Sequence, residues 1–492
     1  MRKLSLLASL VMLSAAVSAQ NPIIRNQFSA DPTARVFNGK IYLFPSHDTT
    51  PASIPDFPRK DWFCMNDYHV FSSENLTEWT DHGKIIDQKD VPWGNPKGYS
   101  MWAPDCVQGK DGKYYFYFPD GQKQGFGFGI GVAVADKPEG PYTVLEKNIE
   151  GINGIDPCVL QASDGNNYIF WGAGNCAKLK DNMIELADDN PTDTIKWGPR
   201  QFVMRGVSCL RGLPSRQAEG PFAFEYNGNY YLTYPYVVER TEALGYAMSK
   251  NPMGPYEYKG LIMEERPECW TNHHSIVNYK GQWYLFYHHN DYSPNFDKNR
   301  SVFADSLFFN EDGTIRPVKS TLRGIGVTKA SDKIQIDRYT SIGGDASISF
   351  LYENDPDTTK RFEGWKTTFS KPGSWVKYNT VDFGKGNGKQ LILALTEGGN
   401  GTITVKVDDA NGPVLAEVKV EASAKTASAQ IENCPKGIHH VYVELTEGEN
   451  VNIDWITVEG SSSNLVWILL AAAALIVIIV VVAKSKSCKC KK

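Results

Sequence analysis

The sequence predicts an all-β protein: a five-bladed β-propeller, then a jelly-roll-like β-sandwich, then one C-terminal transmembrane helix. Three observations carry this prediction. One aromatic hairpin phrase recurs five times between Asp31 and His289, a different alternation of apolar and polar residues begins after residue 335, and an uncharged apolar run lies near the end. A chain of 492 residues has room for two sizeable cores.

The chain opens with Arg2 and Lys3, continues apolar, and reaches Ala16-Val17-Ser18-Ala19. This is the charged, apolar and small-residue order of an export signal, so 1–19 reads as a signal peptide.

Residues 20–330 form the predicted propeller. Aligned on a turn glycine, five segments read alike: "DPTARVFNGKIYLFPS" from Asp31, "DCVQGKDGKYYFYFP" from Asp105, "DPCVLQASDGNNYIFWG" from Asp156, "EGPFAFEYNGNYYLTYP" from Glu219 and "HHSIVNYKGQWYLFYHH" from His273. Each has a short apolar strand, a turn at Gly39, Gly112, Gly165, Gly228 or Gly281, and a strand crowded with Tyr, Phe and Trp. Asn-Gly or Asp-Gly between such strands predicts a type I′ hairpin, because both central residues need positive φ. The glycines stand 53 to 73 residues apart, room for about four short strands per unit. Five such units without long amphipathic helical patterns match a propeller.

Segments 373–384, 401–409, 413–421, 437–446 and 450–459 alternate apolar and polar residues, so 335–459 reads as a sandwich of half-buried sheets. "GSSSN" at 460–464 is a flexible linker. Leu465–Ala483 carries no charge and is long enough to cross a hydrocarbon core of roughly 30 Å as a helix. Five lysines in the tail 484–492 place that tail in the cytoplasm by the positive-inside rule. The two ends together predict an enzyme-sized body held at the cell surface by one C-terminal anchor. A cleavable sorting signal built from Ser461–Ser463, the apolar run and the tail is the alternative.

The formal charge of −5 hides an asymmetry. Without leader and tail, 44 basic residues face 56 acidic ones, a balance of −12 that argues against nucleic acid or another polyanion as partner. Seven cysteines in this part show no zinc spacing, and one disulfide or none fits as well as several. Oligomeric state stays open.

In every repeat a polar residue stands seven to nine positions before the turn glycine: Asp31, Asp105, Asp156, Glu219 and His273. The first strand of a propeller blade lines the central channel, so these five are expected to converge there. Buried carboxyls are costly together unless they are paired or used. The bland alternative is that each caps the turn of the next blade. The chemistry that needs separated acids around a neutral ligand is glycoside hydrolysis, one acid protonating the leaving oxygen and another activating water. Trp93, Trp102 and Trp171 are expected to stack on sugar rings.

At these residues, over 21 to about 330, the sequence resembles glycoside hydrolase family 43. The resemblance implies an inverting hydrolase with Asp31 in "SADPTARVFNGKIYLF" as base, Asp156 in "GIDPCVL" as the group that tunes the acid, and Glu219 in "AEGPFAFEYNGNYYL" as the acid. "MWAPDCV" and "NRSVFADSLFFNEDGTIRPV" also resemble family elements, which puts Trp102 at the sugar and Arg300 reaching towards it. Asp105, Trp171 and His273 complete the substrate-binding candidates. No cofactor is required. His273 matches an axial histidine that in some members lies near a metal ion, and a structural metal there stays open beside a lone water-bonded histidine. The implied substrates are β-D-xylosides and α-L-arabinofuranosides of plant polysaccharides. A non-catalytic surface lectin and a retaining fructan hydrolase are the rival readings.

The second region resembles carbohydrate-binding module family 6 through "WVKYNTVDFG" and "NIDWITVEG". That family commonly clamps a sugar between two aromatic rings beside an Asn. Asn452 fits the Asn, Trp365 offers one ring, and "ASAKTASAQ" at 422–430 carries no aromatic where the family has its tryptophan. Glycan binding and a spacer role are both open.

Overall fold

The structure, a computed structural model, describes residues 21–124, 127–197, 200–215, 218–352 and 364–460. It divides into two compact units that part between Gly326 and Val327.

The first unit is the propeller. Blade I consists of Ser29–Phe37, Lys40–His47, Asp67–Ser73 and Thr80–Asp87, and blade II of Asp105–Gln108, Tyr114–Gly121, Phe128–Ala135 and Thr143–Val144. Blade III holds Cys158–Gln161, Asn167–Trp171, Asn175–Leu179 and Val207–Ser208, with a hairpin of Thr192–Trp197 and Arg200–Arg205 before its last strand. Blade IV runs Phe222–Tyr226, Asn229–Val238, Thr241–Ser249 and Tyr256–Met263, and Leu210–Arg211 joins its outer edge in parallel. The first strands of successive blades touch one another in order, and that of blade I touches blade V, so the sheets form a ring.

Four strands were expected in every unit, but blade V has three: His274–Tyr279, Gln282–His289 and Ser301–Leu307. The beginning of the described chain runs beside the last of them. Ile23 N–H donates to the Val302 carbonyl at 2.9 Å, and Ser29 N–H to that of Arg300 at 2.9 Å. Backbone groups that a fourth strand would satisfy are thus met from the other end of the unit.

The turns also divide. Asn38-Gly39, Asn227-Gly228 and Lys280-Gly281 have positive φ at both residues, as type I′ requires. At Gly112 and Gly165 only the glycine is left-handed. There the preceding Asp instead accepts a forward bond, Asp111 from Lys113 N–H at 3.1 Å and Asp164 from Asn166 N–H at 2.9 Å, in a longer loop. Between the blades, interdigitated aromatics such as Phe44, Tyr68, Phe116 and Phe118 fill the core.

The second unit is a two-sheet sandwich. One sheet orders Thr328–Lys329, Trp375–Asp382, Ile438–Glu449, Asn400–Val407 and Val414–Val420, with Ser341–Gly343 also on Trp375–Asp382. The other orders Ala346–Phe350, Trp365–Phe369, Val451–Gly460, Gly388–Leu395 and Thr426–Gln430. Their inward residues, among them Val376, Leu393, Val405, Val443 and Ile453, make one buried core.

One part of the expected fold class is corrected. No helix of the described residues is long and apolar enough to cross a membrane, so the architecture they show is all-β and counts no transmembrane helix. An uncharged run of sufficient length meets a hydropathy criterion, and that criterion alone does not make an element of the fold. The apolar run 465–483, the tail, linker residues 461–464 and the leader 1–19 lie outside the described residues. The seven cysteines within the described residues are free thiols.

Candidate active site

A cavity of about 640 Å³ opens at the hub of the propeller, lined by four of the five repeated polar positions: Asp31, Asp156, Glu219 and His273. Trp102 and Arg300 line it too. Asp31 is the third residue of its strand, and the other three lie one to three residues ahead of theirs. Local backbone explains the aim. Asp31 and Asp156 each precede a proline with φ of 49° and 60°, a left-handed conformation that costs a non-glycine residue roughly 1–2 kcal/mol. In "EGP" the glycine takes that position, with φ 53°, and a Cβ there would come 2.8 Å from His273 Nδ1. Glu219 therefore stands one residue earlier than the two aspartates.

The acids differ in charge. Arg300 donates from Nη1 to Asp31 Oδ1 at 3.1 Å and from Nη2 to Oδ2 at 3.3 Å, and Ser46 Oγ donates to Oδ2 at 2.6 Å. Burial pushes Asp31 up, but Arg300, His288, His273 and the Ser46 bond outweigh it and lower its pKa to about 2. Arg300 is itself held by Asp48, which accepts from Nε at 2.9 Å and from Nη2 at 2.8 Å. Asp156 accepts the Gly220 N–H at 3.1 Å, and burial, then the charges of Glu219 and Asp31, push it well above the usual carboxylate range. Burial and the Asp31 charge raise Glu219 as well, against the pull of Arg300. Asp31 is thus held below the usual carboxylate range while its neighbours are pushed above it, the division that acid–base work on one bond requires. Burial, with the Arg300 charge, lowers His273 and so favours its neutral imidazole.

Asp105 and Trp171 are not brought to the cavity. Asp105 is fully buried, paired with Arg35 at 2.6 and 2.9 Å, and accepts the Val159 N–H of blade III at 2.6 Å. It is the cap on the next blade that the bland alternative described. Trp171 is fully buried in the core among Tyr117, Ile130 and Ile169. Trp93 packs on Phe118 with ring centroids 6.0 Å apart and lines a different cavity.

Other residues at the site carried no repeat signal. Glu242, at the start of blade IV's third strand, is buried and is a fourth carboxyl on the cavity. It accepts the Asn272 N–H at 2.9 Å, and burial, then the charge of Glu219, raise it well above the usual range. An acid beginning the otherwise apolar "EALGYAM" was the available clue. Trp62, Phe63 and Trp270 form an aromatic wall, with Trp270 centroids 5.6 Å from Trp62 and 5.8 Å from Phe63.

The donors around His273 do not make a metal cage. Asp31 is engaged by Arg300 and Ser46, and the only group of three close donors among the described residues lies elsewhere, at His47, Asp67 and His69.

In the sandwich a second cavity, also of about 640 Å³, is lined by Ser347, Ser349, Lys366, Asn400, Glu449 and Asn452 among others, and by no aromatic ring among the described residues. Asn452 is already engaged: its Nδ2 donates to the Glu397 carbonyl at 2.5 Å and its Oδ1 accepts from Thr368 at 2.7 Å. Trp365 packs edge-on against Phe350, centroids 4.8 Å apart, under the Arg338 guanidinium.

With this geometry, comparison with known proteins gives consistent results. The sequence profile of Glycosyl hydrolases family 43 matches residues 19–315, and that of Carbohydrate binding module (family 6) matches 348–460. "Xylosidase/arabinosidase 43A" of Humicola insolens is 38% identical over 329 residues, covering 60% of this chain and 98% of its own. "Arabinoxylan arabinofuranohydrolase" of Paenibacillus polymyxa is 27% identical over 503 residues, covering 91% of this chain and 75% of its own. A solved GH43 beta-xylosidase/alpha-arabinofuranosidase from a compost microbial metagenome, in complex with xylotriose and in calcium-free form, superposes with a TM-score of 0.52 at 34% identity, covering 61% of this chain and 97% of its own.

Proposed function

The chain belongs to glycosyl hydrolase family 43, followed by a carbohydrate-binding module of family 6, and from that premise we propose that it hydrolyses β-D-xylosides and α-L-arabinofuranosides of plant polysaccharides with inversion. The observation that carries the reading is that Asp31 and Glu219 line one cavity with their proton affinities driven apart, Asp31 down to about 2 and Glu219 upward. Asp31, held ionised by Arg300, accepts a proton from the attacking water. Glu219 gives its proton to the departing glycosidic oxygen. Asp156 lies between charge and burial, where its own proton affinity answers to that of Glu219, and so tunes the acid. The Trp62–Trp270 wall and Trp102 offer faces to the sugar ring, and neutral His273 offers a hydrogen bond. The names of the relatives, xylosidase/arabinosidase and beta-xylosidase, support this substrate class.

Release of p-nitrophenol from the aryl xyloside and arabinofuranoside tests the proposal, with the product anomer read by proton NMR in the first minutes. Inverted product, lost in both Asp31→Asn and Glu219→Gln, is expected. Retained configuration would favour the fructan-hydrolase type of site, and affinity without turnover a lectin. The leader pattern at 1–19 supports export to where polysaccharide is met, which the mature N-terminus, read by mass spectrometry, tests.

A further inference from the structure

We infer that His47, Asp67 and His69 form a site for a divalent transition-metal cation of the zinc type, a clasp across the neck of the loop 48–66. Ser46 pairs with Tyr68 across the antiparallel strands Lys40–His47 and Asp67–Ser73, so His47 stands opposite Asp67. Strand alternation puts His69 on the same face as Asp67. One donor atom from each residue lies within 4.8 Å of the other two.

The spacings suit a cation. His47 Nδ1 is 2.5 Å from Asp67 Oδ1, and His69 Nε2 is 4.0 Å from the same oxygen. Bonds of roughly 2.0–2.1 Å in a tetrahedral site separate ligand atoms by about 3.3–3.4 Å. The first gap must open and the second close, each by less than about 1 Å, and the third, between the two imidazoles, lies within 4.8 Å. The second nitrogen of His69, Nδ1, faces Asp81 Oδ1 at 3.3 Å, the outer carboxylate that orients a metal-binding imidazole. Lys84 approaches the other Asp67 oxygen at 3.9 Å but is held by Asp87 at 2.6 Å, leaving Oδ1 to the cation. Two imidazoles and one carboxylate favour zinc over calcium or magnesium, which prefer all-oxygen sites. On binding, the cation replaces the proton between His47 and Asp67, and that proton goes to solvent.

The position gives the site a consequence. The loop that His47 and Asp67 bracket carries Asp48 to Arg300 and brings Trp62, Phe63 and Met65 to the hub cavity. A cation joining both ends of the loop narrows its freedom and steadies that wall.

The test is isothermal titration of zinc chloride into the tag-free, EDTA-dialysed full chain. Wild type is expected to bind one equivalent more than the Asp67→Asn/His69→Gln double variant, and its melting temperature to rise with zinc while the variant's does not. Asp81→Asn should weaken the site by about tenfold or more. Circular dichroism checks the fold of each variant, and His69→Gln alone replaces the double variant if that one does not fold. Equal zinc uptake by wild type and a folded variant, or none by wild type, would overturn the inference.

Discussion

The hub of the propeller and the groove of the sandwich enclose the same volume, about 640 Å³ each, and present opposite surfaces. At the hub, carboxyls converge from blades I, III and IV, burial raises their proton affinities while Arg300 pulls that of Asp31 down, and aromatic rings stand along one side. In the groove, Asn452 has spent both ends of its amide on Thr368 and Glu397, and no ring of the described residues lines the wall. Cavity size does not make a sugar site. Polar groups left under electrostatic tension do chemistry, while groups that satisfy one another hold a fold together.

The contrast breaks most severely at the acids. Glu219→Gln and Asp31→Asn should each lower kcat about 10²- to 10⁴-fold, measured on p-nitrophenyl xyloside. Activity within tenfold of wild type in either would remove the distinction between hub and groove. Next comes Arg300→Met, which strands Asp31 and Asp48 as buried unpaired charges. Urea unfolding should show a loss of about 3–5 kcal/mol. Trp270→Ala should raise KM by roughly two- to tenfold with kcat less affected, since stacking is worth about 0.5–1.5 kcal/mol.

Glu242→Gln sharpens the comparison through pH. The folded pKa of Glu242 lies above its unfolded value of about 4.3. As pH rises past that value the unfolded chain loses a proton that the folded chain keeps, so stability falls until the folded pKa is passed. The glutamine variant lacks this slope. Wild type and variant should melt alike near about pH 4, and at about pH 8 the variant should melt higher by on the order of a few degrees. The smallest effect belongs to the groove: Asn452→Ala should leave adsorption to insoluble xylan unchanged within about twofold, its amide being already occupied.

The repeated phrase made the propeller legible because blade hairpins are local: an apolar strand, a turn, an aromatic strand. It also placed Asp31, Asp156, Glu219 and His273 at one hub, since equivalent positions in a ring must converge. The same logic over-reached at Asp105. An acid at the right offset can turn to the neighbouring backbone, as Asp105 does to the Val159 N–H with Arg35, four residues along from Asp31, as its counter-ion. Trp171 misled for a related reason, because a blade's second strand is buried on both faces and its aromatics belong to packing. Glu242, Trp62 and Trp270 went unread because they reach the cavity from a third strand and from connections between strands, where no period marks them. The missing fourth strand of blade V was equally invisible, its place depending on residues at the opposite end of the unit.

That closure has a consequence for the nascent chain. Ile23 is bonded to Val302, about 280 residues later, and Arg300, which keeps Asp31 ionised, arrives with the same late strand. During synthesis the first blade therefore emerges without its counter-ion, and a ribosome stalled before blade V would hold a protein with most of its sheets and no Arg300 to hold Asp31 in place. Hydrolytic competence should switch on only after the final propeller blade has left the exit tunnel.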